Sequence, residues 1–208
     1  VVNRRGRHPS GPLAAGYDLD SELADATAVL RGVCDVRTLF GWSYGGLIAL
    51  HLANHQVVPH VIAYEPVMHP FGAHALSELQ RAHEESDLDA VLTVALRDVS
   101  GMPEEQIAAL RADGAVWDQL RLLSAPLFAE TAAINSAPQP ARLAANAERI
   151  DLIVGERNRG REPYGTSFDD IAQRVPRADV HELGEQGHLA HLEAPARLAA
   201  LMNEIRAR

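Results

Sequence analysis

Short β-branched or apolar runs alternate along this chain with longer stretches whose apolar residues recur at helical spacing, a pattern that predicts an α/β fold. Val1-Val2-Asn3 reads as the tail of a strand, followed by a glycine- and proline-punctuated loop from Arg4 to Gly16. An acidic start at Asp18, Asp20 and Glu22 then opens a helix that runs through Leu23, Ala26, Val29 and Leu30 to Arg31. Val36 to Phe40 is a buried-strand candidate, and Gly41, Gly45 and Gly46 lead straight from it into the helical run Leu47 to Ala53. Val57 to Tyr64 is the next strand, stopped at Pro66.

From His69 to Ala147 the pattern changes. Helical segments are separated by Gly101-Met102-Pro103, Ser124-Ala125-Pro126 and Ser136-Ala137-Pro138, with no convincing strand among them. Strand character returns at Ile150 to Val154 and Val180 to Leu183, with a helix at Ile171 to Val175 between them and an amphipathic helix from Ala196 to Ile205 at the end. The expected organisation is therefore an α/β core of residues 1–68 and 148–208, interrupted by a helical insertion over 69–147.

Composition narrows the functional classes. The 208 residues, 47% of them hydrophobic, suit one globular domain with a modest insertion. The balance of 28 acids against 19 bases, net -9, argues against a nucleic-acid partner, whose affinity rests on neutralised phosphates. Every base is arginine, which removes lysine chemistry and hints at a GC-rich bacterial gene. Cys34, the single cysteine, cannot form an intramolecular disulfide and reads as a small buried hydrophobe. With no leader pattern and no apolar run of the roughly 18 residues that a membrane span needs, a cytoplasmic protein without a membrane partner is expected.

Chemistry concentrates at Gly41-Trp42-Ser43-Tyr44-Gly45, a Gly-x-Ser-x-Gly between a strand and a helix. A serine in so sharp a turn takes a strained backbone, and its hydroxyl is aimed outward. The same turn puts the N–H of Tyr44 at a helix N-terminus, where it can stabilise an oxyanion. Among ten histidines, His188 has the context of a base: it follows the last strand in the loop Gly184 to Gly187, where a flexible glycine-flanked segment can bring an imidazole to the serine. His51 and His55 have a spacing that suits two metal ligands, but no third ligand lies nearby, so solvated helix-face histidines are expected and no metal or cofactor. His69, His74 and His83 are expected on the surface, and His191 as a support of the His188 loop.

Gly41 to Gly46, the strand end Tyr64-Glu65-Pro66 and Gly184 to His191 together resemble the α/β-hydrolase fold superfamily, over nearly the whole chain from Asn3 onward. That resemblance implies a mostly parallel sheet flanked by helices, with residues 69–147 as a lid over a small-molecule substrate. Trp42, Trp117 and Phe128 are its candidate substrate contacts, although helical apolar stripes such as Trp117, Leu120, Leu123, Leu127 and Phe128 also form a lid's own core. It further implies a triad of Ser43, His188 and an acid. The usual acid position, after the strand that follows the lid, holds Asn158 in Gly155-Glu156-Arg157-Asn158. The family also places the acid one strand earlier, where Glu65 stands; Glu156 and Glu162 are further candidates.

The superfamily's first three strands and second oxyanion loop have no counterpart here, so an N-terminally truncated chain is expected, with the strand Val36 to Phe40 left at an open edge. Two functions remain open: a serine hydrolase acting on an ester, lactone or thioester of a small apolar molecule, and a catalytically silent hydrolase-fold protein that binds a small ligand or a partner. A second copy of the chain is a candidate partner in either case.

Overall fold

The computed structural model describes residues 1–7 and 9–208. The chain divides into two compact units, one of Glu22–Met68 with Pro138–Arg208 and one of Val1–Ser21 with His69–Ala137. Residues 1–21 thus group with the helical segment rather than with the sheet.

Helix α1, Leu19–Arg31, starts where Asp18 Oδ1 accepts the Ser21 backbone N–H at 2.9 Å, a side-chain cap that ends the preceding loop. Those hydrogen bonds from Ser21 hold the Asp18 carboxyl below its ordinary value.

The first unit of the core is a four-stranded parallel sheet in the order β1 Leu39–Trp42, β2 Val58–Tyr64, β3 Ala147–Gly155, β4 Asp179–Leu183. Helix α2, Tyr44–His55, packs on β1 and β2. The central strands are buried on both faces, Val61 to Tyr64 and Leu152 to Val154 being 0% exposed, as a parallel sheet covered by helices requires. Ile62 and Tyr64 share one face with Ile153, and cluster with Leu183 of β4, Ala190 and the terminal-helix residues Leu198 and Ile205. The sheet's C-terminal rim, at Trp42, Tyr64, Gly155 and Leu183, is where its loops leave.

Asp151, on the central strand β3, is 0% exposed and accepts hydrogen bonds from His181 Nε2 at 2.6 Å, His60 Nε2 at 2.7 Å and Arg149 Nε at 2.9 Å. Burial pulls its carboxyl up, but these partners together hold it below the ordinary value. A buried charge with every partner in place is a structural pin.

The other unit is helical: α3 Leu76–Glu84, α4 Leu88–Val94, a π turn at Ala95–Val99, α5 Glu104–Ala112, α6 Gly114–Leu123 and α7 Leu127–Ser136. Asp87 and Asp113 cap α4 and α6, accepting from Ala90 N at 3.0 Å and Val116 N at 3.2 Å. After it come α8 Tyr164–Arg174, α9 Ala190–Glu193 and α10 Pro195–Ala207 in the sheet-bearing unit. Among the described residues no helix is long and apolar enough to cross a membrane.

Several expectations are corrected. Val1 to Asn3 is not a strand; the segment is tied down by side chains, Arg4 and Arg7 each reaching the buried Glu130 of α7 at 2.6 Å. Strand β1 starts at Leu39 instead of Val36, because among the described residues it pairs with β2 alone, and that pairing begins where Leu39 meets Val61. The expected open edge is present: β1 is an end strand of the sheet. Cys34 is exposed, lying in the bend between α1 and β1 outside either element's packed face. His51 is 4% exposed because α2 is buried almost all round, whereas His55 one turn on is exposed as expected; His69, His74 and His83 are exposed too.

Candidate active site

Ser43 occupies the one residue between β1 and α2, with φ 55° and ψ -123°. That conformation costs on the order of 1–3 kcal/mol in a non-glycine residue and persists only where the surroundings impose it. Here Ser43 N–H donates to Tyr64 O at 2.9 Å, and Ser43 O accepts Gly46 N–H at 2.9 Å and Leu47 N–H at 3.3 Å. The turn is tight enough that a Cβ on Gly41 would overlap the Gly45 carbonyl, and one on Gly46 would come within 2.9 Å of Pro66 Cβ. A Cβ on Gly45 would meet nothing, so Gly41 and Gly46, and not the flanking pair Gly41 and Gly45, are the glycines that the turn needs sterically. Ser43 caps no helix amide with its side chain, and Tyr44 is the first residue of α2, placing its N–H at the positive end of the helix.

Glu65 follows β2 directly, also at positive φ, 38°, with its N–H on Ile153 O at 2.9 Å. Its carboxylate is 0% exposed and collects donors from three residues, one at the end of β3 and two in the loops after β3 and β4. Oε1 accepts the Gly155 N–H at 2.8 Å, Asn158 Nδ2 lies 3.1 Å from Oε1 and 2.9 Å from Oε2, and His188 Nδ1 lies 2.7 Å from Oε2. An ionised carboxylate only accepts, so Asn158 turns its amide NH2 to Glu65, and His188 carries its proton on Nδ1. That leaves the lone pair on Nε2. Asn158, at the position expected for an acid, hydrogen-bonds Glu65 and so braces the carboxylate that holds the imidazole. Glu156 is engaged elsewhere, accepting Glu185 N–H at 2.6 Å, and Glu162 is exposed.

His188 is 8% exposed, and its loop is pinned rather than flexible. Tyr64 Oη donates to Gly187 O at 2.6 Å, Trp42 Nε1 donates to His188 O at 2.8 Å, and Arg157 N–H donates to Gln186 O at 3.0 Å. Burial, with Glu65 beside it, pushes the Tyr64 phenol up, which keeps it a donor. Burial also pushes the His188 imidazole below its ordinary value, outweighing the upward pull of Glu65. His191 packs against Trp42 with the rings tilted by 53° and their centroids 4.2 Å apart, its Nδ1 buried and without a hydrogen bond.

Ser43, Tyr44, Glu65, Asn158, His188 and Trp42 therefore all belong to the sheet-bearing unit, and the geometry joins Glu65, His188, Asn158 and Trp42 by direct contact. Trp117 and Phe128 lie in the helical unit, inside its apolar clusters: Trp117 packs with Leu92 and Ile107 and donates Nε1–H to Asp89 at 2.6 Å, and Phe128 packs near Leu79 and Val91. Tyr164, whose ring stacks on His188, was signalled by no sequence motif. Among the described residues no group of His, Cys, Asp and Glu could hold a metal ion.

The model of the alpha/beta hydrolase family matches residues 1–201. None of the curated proteins matches the chain. Among solved structures, it is similar to an alpha/beta hydrolase from Sphaerobacter thermophilus, with a TM-score of 0.80 at 20% identity over 97% of this chain and 79% of that one. It is similar also to the enol-lactonase from Burkholderia xenovorans (TM-score 0.69, 14% identity, 98% of this chain and 78% of that one). An esterase from Exiguobacterium antarcticum gives a TM-score of 0.67 at 14% identity over 98% of this chain and 79% of that one. At these identities the likeness is one of fold.

Proposed function

Because the chain belongs to the alpha/beta hydrolase family, we propose that it is a serine hydrolase of carboxylic esters or lactones of small apolar molecules, with Ser43 as nucleophile, His188 as base and Glu65 as the acid. One observation carries the reading: the buried Glu65 carboxylate sits 2.7 Å from His188 Nδ1, which sets the imidazole's other nitrogen free as a base. In the mechanism, Ser43 Oγ attacks the carbonyl carbon as His188 Nε2 takes its proton. The tetrahedral oxyanion faces the N–H of Tyr44 at the start of α2. His188 then returns the proton to the leaving alkoxide, and water, activated by the same nitrogen, releases the acid.

Two features support an ester or lactone as the substrate. Two proteins of similar fold, an esterase and an enol-lactonase, bear names that denote hydrolysis at an ester carbonyl. The indole of Trp42, beside the His188 ring, is an apolar wall for an acyl group. A p-nitrophenyl acetate to octanoate series, with a γ-lactone alongside, tests the assignment in the pre-steady state. A burst of about one p-nitrophenol per chain supports an acyl-enzyme; no turnover of any ester or lactone by folded protein sinks the reading.

The pH profile has a definite sign. His188 must be neutral to act as a base, and burial lowers its proton affinity from the ordinary 6.5. Activity therefore persists as pH falls through 6.5, and the acid limb of kcat/KM lies below that value; a limb at or above 6.5 contradicts the burial argument.

A further inference from the structure

Three rings pack around the base, two of them directly against it. Tyr164 stacks face to face on His188, centroids 3.6 Å apart and planes 13° apart. Trp42 lies 4.7 Å from the same imidazole at 32°, and His191 lies 4.2 Å from Trp42 at 53°. Trp42 also holds the His188 carbonyl through its Nε1–H at 2.8 Å, so one indole grips both the backbone and the ring of the base.

The place of Tyr164 is built into the chain. Arg161 N–H donates to Asn158 O and Gly165 N–H to Arg161 O, each at 2.8 Å. A Cβ on Gly165 would overlap the Asn158 carbonyl, so glycine is what lets the start of α8 close onto that loop. The turn that delivers the Asn158 amide to Glu65 thus also delivers Tyr164, the first residue of α8, to the face of His188.

We propose that Tyr164 is a positioning residue which, with Trp42, clamps the His188 imidazole in the one orientation that keeps Nδ1 on Glu65 and presents Nε2 to the nucleophile. The proposal rests on the hydrolase reading for its catalytic consequence. Its physical basis is that the single hydrogen bond at Nδ1 fixes one point of the ring and leaves rotation about that bond open. A stacked ring at 3.6 Å removes that freedom. The same ring excludes water from the imidazole and offers it a π face when it becomes cationic in the transition state. The other titratable groups around the stack are Glu65, at the end of β2, and His191, on α9; His191 is itself pushed down by burial and by His188, and pulled up by Glu193.

The test compares Tyr164→Phe, which keeps the stacked ring, with Tyr164→Leu and Tyr164→Met, which keep bulk without it; two non-aromatic variants guard against one failing to fold. Imidazole proton resonances, with His188 assigned through His188→Gln, give a readout independent of turnover. The wild type and Tyr164→Phe should show the His188 ring protons displaced upfield by the stacked ring, and the Leu and Met variants should lose that displacement. In those two variants the His188 titration midpoint and the acid limb of kcat/KM should rise together by about half to one pH unit as water reaches the ring. Their kcat should fall about 10-fold with KM little changed, while Tyr164→Phe stays within about 2-fold. A folded Leu or Met variant that keeps the wild-type ring-proton positions, or the wild-type acid limb, overturns the clamp. A wild type that shows the displaced resonances but hydrolyses no ester or lactone would leave the clamp standing and count against the hydrolase reading instead.

Discussion

Ser43→Ala should lower kcat on an activated ester by about 10⁶-fold, the loss seen when a nucleophile is removed from a triad that acts as a unit. The size follows from the role: without Oγ there is no acyl-enzyme, and what remains is binding plus whatever oxyanion stabilisation the start of α2 gives to direct attack by water. The fold should not notice. The Ser43 side chain caps no helix amide, and the turn is held by backbone hydrogen bonds from Ser43, Gly46 and Leu47 that alanine keeps. Alanine pays the same cost at φ 55° as serine does, so Tm should stay within a few degrees, a shift of about 1 kcal/mol or less. An alanine variant that retains a tenth of the wild-type rate would remove Ser43 from the mechanism.

Glu65→Gln should cost about 10⁴-fold in kcat, the order of effect found when a triad carboxylate becomes an amide. Two losses combine here. The imidazolium that forms in the transition state loses its buried counter-charge at 2.7 Å. Glutamine, besides, has one acceptor oxygen where the site supplies donors on both sides, from Gly155 N, Asn158 Nδ2 and His188 Nδ1. Its NH2 must face one of them in a pocket with no water access, leaving donors unpaired at about 1–3 kcal/mol of stability. Asn158→Ala should be far milder, about 10-fold, because Gly155 and His188 still hold the carboxylate. Measured side by side, the ranking separates a charge that acts from an amide that braces; the reverse order would make Asn158 the group that matters and refute the assignment of Glu65.

Much of this site could be read in advance because its chemistry is local in sequence. The serine turn is set by Gly41 and the strand-to-helix switch within a few residues, and both the strained φ and the helix start are where the pattern put them. The place of His188 came from its loop after the last strand, whereas Glu65 became a candidate only through the resemblance to the hydrolase superfamily, and the structure brings the two side chains to 2.7 Å. What remained hidden depends on contacts across the fold. Nothing in Gly155-Glu156-Arg157-Asn158 says that an asparagine in place of an acid will turn its amide to a carboxylate 93 residues away. Tyr164 opens a helix whose visible pattern is only amphipathic, and its ring meets His188 because Gly165 lets two backbones close. His51 looked solvated because spacing alone cannot tell a surface helix from one buried almost all round. Val1-Val2 looked like a strand because β-branched residues favour one, but a strand also needs a partner, and Arg4 and Arg7 tie that segment to Glu130 instead.

Phosphonylation by a fluorophosphonate, followed by intact-protein and peptide mass spectrometry, bears on the triad as a whole, since only an activated serine reacts. The expected result is one adduct per chain, located on Ser43, absent from Ser43→Ala and slowed in Glu65→Gln. Folded wild-type protein that takes up no adduct, or takes it up at another residue, would contradict a working Ser43, His188 and Glu65.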